Sequence, residues 1–384
     1  MLFIKNGYIK TMAGKDIENG CVLVDDSGKI AAVGADLTAP EGAEIIDAGG
    51  RLVTPGCVEA HCHIGLWEYG IGWAGSDGNE SSDPITPHLR AIDSINPMDR
   101  CFGLAIKGGV TTACTGPGSA NVVGGTFTAI KLYGKRVDDM IIKQSVAMKC
   151  ALGENPKSSY GKNGKAPKTR MSVAAMLREL LFKAKRYSDD KDAGKNPGFD
   201  MKLESMIPVI KGEIPLKAHV HRADDIFTII RIAKEFNVKL TLDHCTEGAL
   251  IAEDLAKEGY PALVGPSFGM SGKNETMNKD FATPGILHKA GVPICIITDH
   301  DVIPQENLPL CAAWAVNAGL DVEEAWRAIT INPANVIGIA DRVGSLEIGK
   351  DADVVIWTAD PMYAVGAHAY MTVIDGKIRY REDA

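Results

Sequence analysis

The sequence predicts an α/β fold: a distorted TIM-type (β/α)8 barrel over residues 51–344, beside a small β-sandwich domain built from residues 1–50 and 345–384. Three observations lead there. From about Arg51 to Arg342, short apolar runs alternate with helical periodicity, over a length that suits one closed parallel barrel. Both ends instead read as short strands broken by turn signals. His and Asp recur where the apolar runs of the middle stop, and the strand C-termini of a barrel converge on one mouth.

Taken in order, the N-terminal strands are Phe3–Ile9 with the turn dipeptide Asn6-Gly7, Cys21–Val24, Lys29–Gly34 and Glu44–Asp47. Asp25-Asp26-Ser27-Gly28 is a hairpin signal between two of them. Barrel strands are expected at Leu52–Thr54, Gly109–Ala113, Ser145–Met148, Leu216–His219, Lys239–Leu242, Ala262–Val264 and Val292–Ile297. Between them, Val173, Met176, Leu177, Leu180, Leu181 and Ala184 draw one helical stripe, and Ile226, Ile229, Ile230 and Ala233 another. Asp224 and Asp225 stand at the positive end of the second helix. Asp321 with Glu324 resembles a capping box. Tyr187–Phe199 is almost free of apolar residues and reads as a mobile surface loop. No fourth strand is assigned between Met148 and Leu216. Asp353–Trp357 and Met371–Tyr380 return the chain to strand.

Composition narrows the function. The 384 residues hold 41 Lys+Arg and 49 Asp+Glu, so the formal charge is 41 − 49 = −8. With no basic run, a nucleic-acid partner is not expected. No apolar stretch approaches the roughly 18 residues of a membrane span. Met1–Gly7 is too short in its apolar part for a signal peptide. Nine cysteines without CxxC spacing suit reduced thiols in the cytoplasm. A small-molecule substrate and a homo-oligomeric state are expected.

The chemistry begins at Val53–His63, where His61 and His63 are two apart after an apolar strand and so share a face. Such a pair suits one metal ion. On Leu216–His221, Lys217, His219 and His221 share a face. Asp243-His244-Cys245 closes the next strand, and Thr298-Asp299-His300-Asp301 the last. These nitrogen and oxygen donors suit Zn²⁺, with Fe²⁺, Mn²⁺ or Co²⁺ as alternatives, in one or two ions. His219 lies deeper in its strand and is assigned to metal. His221, nearer the mouth, is assigned to substrate or catalysis. Lys131, after the glycine-rich stretch Gly116–Thr126, and Arg222 are the candidate substrate contacts. That stretch lacks the Gly-Lys-Ser/Thr of a phosphate loop and is either a wall of the pocket or a plain flexible loop. Cys62 and Cys245 point away from the metal by alternation. His88, His288 and His368 fall in loop or helical contexts and are assigned structural or exposed roles.

The run Pro55-Gly56 to His61-x-His63, the later His219 and His244, and Asp299 resemble the metal-site pattern of the amidohydrolase superfamily. Asn332-Pro333-Ala334-Asn335 and Gly344–Asp353 resemble the run by which such enzymes re-enter their small β-domain. Within the superfamily, Gly153–Lys157, Thr169-Arg170-Met171 and His219–Ile226 are similar to imidazolonepropionase-related hydrolases of undetermined substrate. The resemblance implies that His61, His63 and Asp299 hold one metal, while His219 and His244 hold or flank a second. Many relatives bridge the two with a carboxylated lysine on the fourth strand. No matching lysine is assigned here, so Glu154 is the substitute and Lys149 the reserve. Glu154 is similar in context to the glutamate ligand of N-acetylglucosamine-6-phosphate deacetylases. The implied activity is metal-activated attack of water on a non-peptide C–N bond, in a cyclic amide, an N-acyl amino acid or a dipeptide. Asp299 would shuttle the proton, and His219 or His221 would stabilise the oxyanion. A heterocycle deaminase is the alternative, with Asp224 and Asp225 standing where such relatives often carry Glu. A non-catalytic scaffold is the third reading.

Overall fold

The computed structural model describes residues 1–382, so the last two residues of the expected terminal domain lie outside the described residues. The chain opens with β1 (Leu2–Ile9), β2 (Ile17–Val24), β3 (Ile30–Gly34), β4 (Glu44–Asp47) and β5 (Leu52–Pro55). Then come β6 (Cys57–Cys62), β7 (Val110–Thr115), β8 (Val123–Lys131), β9 (Ile141–Ala151), β10 (Leu216–Val220), β11 (Leu240–His244), β12 (Ala262–Val264) and β13 (Ile294–Ile296). It closes with β14 (Val354–Trp357), β15 (Ala369–Ile374) and β16 (Lys377–Arg381).

Both ends meet in one sheet of order β16-β15-β14-β5-β1-β2-β3, with β4 also on β1. Leu2, Ile4, Val22, Val24, Ile46 and Val53 from one end bury against Val354, Ile356, Met371 and Val373 from the other. Each such side chain contributes roughly 1.5–3 kcal/mol of transfer free energy. Gly28 fits the junction because it has φ +80°, and a Cβ there would lie 2.4 Å from the Asp375 carbonyl oxygen. Two expectations change. The sandwich is one hydrogen-bonded sheet, because β1 offers one edge first to β4 and then to β5. Leu52–Thr54 belongs to this sheet rather than to the barrel, since β5 pairs with β1 and β14.

The middle strands form a nearly closed barrel sheet in the order β6 to β13. Neighbours run parallel except at β7–β8 and β8–β9, which are antiparallel. The reversed strand β8 grows out of the glycine-rich stretch, where Gly124 and Gly125 masked a strand. It takes the third place in the barrel and moves Ser145–Met148 into the fourth, inside β9.

Helices α1 (Arg100–Lys107), α2 (Glu154–Gly161), α3 (Arg170–Asp192), α4 (Met201–Ile210) and α5 (Ala223–Phe236) pack outside or between strands. Helix α3 runs to Asp192, through the first half of the expected loop. Its polar end is held by Lys185–Asp189 and Lys191–Glu204 ion pairs, with Tyr187 buried. Asp321 caps its helix as expected, accepting from the Glu323 and Glu324 amides. No helix among the described residues is long and apolar enough to cross a membrane.

Inside the barrel, Ala60, Cys114, Ala129 and Ala147 are small enough to admit the buried ring of Phe127. Phe127 packs against His61 with ring centroids 5.2 Å apart. The apolar floor therefore ends where the histidines begin.

Candidate active site

Extended geometry puts His61 and His63 on the face opposite Cys62, whose Sγ turns to the Cys114 carbonyl. His63 Nδ1 lies 2.7 Å from the Gly116 carbonyl oxygen, and His244 Nδ1 lies 2.8 Å from that of Gly265. A carbonyl only accepts, so both rings carry a proton on Nδ1 and turn Nε2 away from that contact. His61 Nδ1 lies 2.8 Å from Asp243 Oδ2, and His221 Nδ1 lies 2.7 Å from Thr246 Oγ1. Asp299 Oδ1 faces His61 Nε2 at 3.4 Å and His63 Nε2 at 3.1 Å. That oxygen is buried and has no hydrogen bond among the described residues.

Two strand ends leave the ordinary backbone to achieve this. His244 has φ +72° and Asp299 φ +54°, in the left-handed region. Such conformations cost of the order of 1–3 kcal/mol and concentrate at functional sites.

Burial favours the neutral form of four imidazoles. His61, His219 and His244 lie below the ordinary histidine value, and His221 falls to about 4. For Asp299, burial works upward, but His244, His61 and His63 outweigh it and hold the carboxyl well below the usual range. Neutral nitrogen lone pairs thus surround a carboxylate, a donor set that fits a borderline divalent cation. Potential ligand atoms fall into two groups, His61 with His244 and Asp299, and His219 with His221 and His244, each within 4.8 Å.

Lys149 joins them. Its Nζ lies 3.3 Å from His61 Nε2, and the side chain is buried on β9. Burial, against the pull of Asp243 and Asp299, brings its amine down to about 8. The reserve lysine therefore stands on the fourth barrel strand, which the sequence counted as the third because β8 was hidden.

The other predicted contacts separate. Glu154 starts α2 and accepts from the Glu275 amide at 3.3 Å, outside both potential ligand groups. It follows Gly153 into a helix, which turns its carboxylate along the rim. Lys131 does not reach the mouth: it is buried among Asp351, Asp353 and Asp375 at 3.0, 2.6 and 3.1 Å. The cause is the reversed β8, whose C-terminal end lies at the barrel's far side. Arg222 gives both arms of its guanidinium to Asp224 at 2.9 Å and is partly exposed. His288 and His368 are likewise partly exposed.

Sequence reasoning missed Glu275. It lies in the loop after β12, with no periodic signal around it, yet it is 1 % exposed. Its Oε1 is 3.7 Å from His219 Nε2 and 4.0 Å from His221 Nε2. Its Oε2 accepts from the Glu154 amide at 2.7 Å. Asp243 was also missed as the partner of His61, although it adjoins His244. Glu59 is buried beneath the site, held by the Thr298 amide and hydroxyl at 2.9 and 2.7 Å.

Among solved structures, an amidohydrolase from Thermotoga maritima MSB8 is 40 % identical, with a TM-score of 0.96 over 100 % of both chains. The chain belongs to the amidohydrolase family. The family's sequence profile matches residues 204–379 of this amidohydrolase. The amidohydrolase tasK of Hapsidospora irregularis is 29 % identical over 94 % of this chain, which spans 40 % of the length of tasK. The imidazolonepropionase of Fusobacterium nucleatum subsp. nucleatum is 25 % identical over 90 % of this chain and 87 % of its own. Membership makes the chain a hydrolase acting on carbon–nitrogen bonds.

Proposed function

We propose that this amidohydrolase is metal-dependent and cleaves a C–N bond in a cyclic amide, an N-acyl amino acid or a dipeptide. The observation that carries the reading is the buried Asp299 Oδ1, without a hydrogen bond among the described residues, facing Nε2 of His61 and His63. His61, His63 and Asp299 would hold one cation, Zn²⁺ by preference. His219 and His244 would hold a second, with Lys149 as a further candidate ligand. We read the fold as a distorted (β/α)8 barrel whose strand ends supply these groups. The buried free cysteines agree with a reducing, cytoplasmic setting.

A divalent cation in this site supplies a Lewis acid that lowers the pKa of water towards roughly 7 and polarises a carbonyl. Asp299 accepts the proton of the attacking water and returns it to the leaving nitrogen. In the tautomer that accepts from Thr246 at Nδ1, neutral His221 would carry its proton on Nε2 and steady the substrate's developing oxyanion. The Asp243 carboxylate, 2.8 Å from His61 Nδ1, would orient that ring by its charge. Relatives named imidazolonepropionase make cyclic amides the first class to assay. The deaminase reading has less support, because Asp224 and Asp225 are engaged by Arg222 and Arg170.

The test combines metal analysis of protein purified without chelator with hydrolysis assays on cyclic amides, N-acyl amino acids and dipeptides. Bound divalent metal and turnover lost in a folded Asp299→Asn variant are expected. Metal-free protein, or unchanged turnover in that variant, overturns the reading.

A further inference from the structure

Beside His219 the pocket wall is organised around Asn155. Asn155 Nδ2 lies 2.6 Å from Ser119 Oγ and 3.3 Å from His219 Nε2. Its Oδ1 accepts from Lys273 Nζ at 2.7 Å, and Lys273 also donates to Glu275 Oε1 at 3.1 Å. An ammonium has three N–H bonds, and Lys273 has no third acceptor among the described residues. The Ser119 hydroxyl accepts from Asn155 and donates to no described residue.

Two carboxylates share the same wall, and Glu154 Oε2 accepts from no described residue. Glu275 Oε2 takes the Glu154 amide, its Oε1 takes Lys273, and Glu154 Oε1 takes the Glu275 amide. The wall therefore has unused donors, an ammonium and a hydroxyl, at either end of one side-chain amide. Lys273 is 34 % exposed while Glu275 is 1 % exposed, so the cation is the part within reach of solute. A carboxylate satisfies both donors.

We propose that Lys273 and Ser119, held in place by Asn155, form a receptor for a carboxylate carried by the substrate, next to His219. The word substrate rests on the hydrolytic reading above; the binding site itself does not.

The test is calorimetric binding of N-acetyl-L-amino acids and dipeptides, each paired with its C-terminal carboxamide, to wild-type protein, Lys273→Gln and Ser119→Ala. Acids should bind at least tenfold more tightly than their amides. Lys273→Gln should remove most of that difference with amide affinity within twofold, and Lys273→Arg, which keeps a cation beside Glu275, should restore it. Ser119→Ala should weaken acids by a smaller factor. Where an acid is hydrolysed, Lys273→Gln should raise KM by a larger factor than it lowers kcat. Acids and amides binding alike across the panel, or not at all, overturns the receptor, as does equal loss of both in Lys273→Gln. Acid-selective binding without hydrolysis sinks only the hydrolytic reading. Hydrolysis without acid preference sinks only the receptor.

Discussion

Lys149 holds its Nζ 3.3 Å from Nε2 of His61, in the buried centre of the barrel mouth. An amine brought down to about 8 is largely neutral just above that pH, and the neutral amine is the form that adds CO₂ to give a carbamate and a proton. Lys149→Ala should lower both bound metal per chain and turnover, the latter by about 100-fold or more if second-sphere losses of 10–100-fold set the lower bound. Metal uptake by stripped wild-type protein should also increase with bicarbonate, and the variant should not respond. Elemental analysis with and without bicarbonate checks this. Equal uptake by both proteins counts against Lys149.

Asp243 lies behind His61 at 2.8 Å and is itself approached by Lys217 at 3.4 Å. Its carboxyl is held well below the usual range: burial pushes it up, and Lys217, His61 and Lys149 together outweigh that push. Asp243→Asn keeps the shape but removes the charge that orients the ring. A 10–100-fold loss in metal affinity or kcat/KM is expected. Competition titration against a chelator reads the first, and an unchanged affinity would rule the contact out as an orienting one.

Acid stability follows from the neutral histidines. His221 lies at about 4, and His219 and His244 are well below their ordinary value, chiefly through burial. An unfolded chain takes up these protons near roughly 6.5, whereas the folded one does so only at lower pH. Between about pH 6.5 and 4 the unfolded state therefore binds more protons, and stability falls as pH falls. The loss is on the order of a few kcal/mol for the metal-free protein. Urea unfolding of chelator-treated protein at about pH 7.5 and about pH 5 measures it. Equal stabilities would contradict buried neutral imidazoles.

Gly153 joins two loops at the rim. It has φ +83°, and a Cβ there would lie 2.4 Å from Glu275 Oε2. Gly153→Ala should cost about 1–3 kcal/mol in stability from backbone strain alone. It should also displace Glu275 from its place beside His219 and His221, lowering kcat/KM. Glu275→Gln, which keeps the packing, separates the two effects. A Gly153→Ala variant as stable and as active as wild type would show that the clasp between Glu154 and Glu275 is not needed.

Residues legible from sequence were those whose position follows from local periodicity. His61 and His63 share a face because an extended chain alternates, and His219, His244 and Asp299 each close an apolar strand that no other element explains. The sharing of one sheet by both termini was legible for the same reason, since β-branched runs with turn signals stand at both ends.

Tertiary structure alone decided the direction of β8, and much followed from it. Sequence alternation does not distinguish a strand running up the barrel from one running down. Reversal carried Lys131 to the far end among three aspartates and shifted β9 into fourth place, which brought Lys149 to His61. Glu275 was beyond reach for a different reason: its loop has no period, and only the Glu154 amide and Lys273 fix where its carboxylate falls. Local chain geometry determined which side chains point inward along each strand. Long-range pairing determined which of them meet.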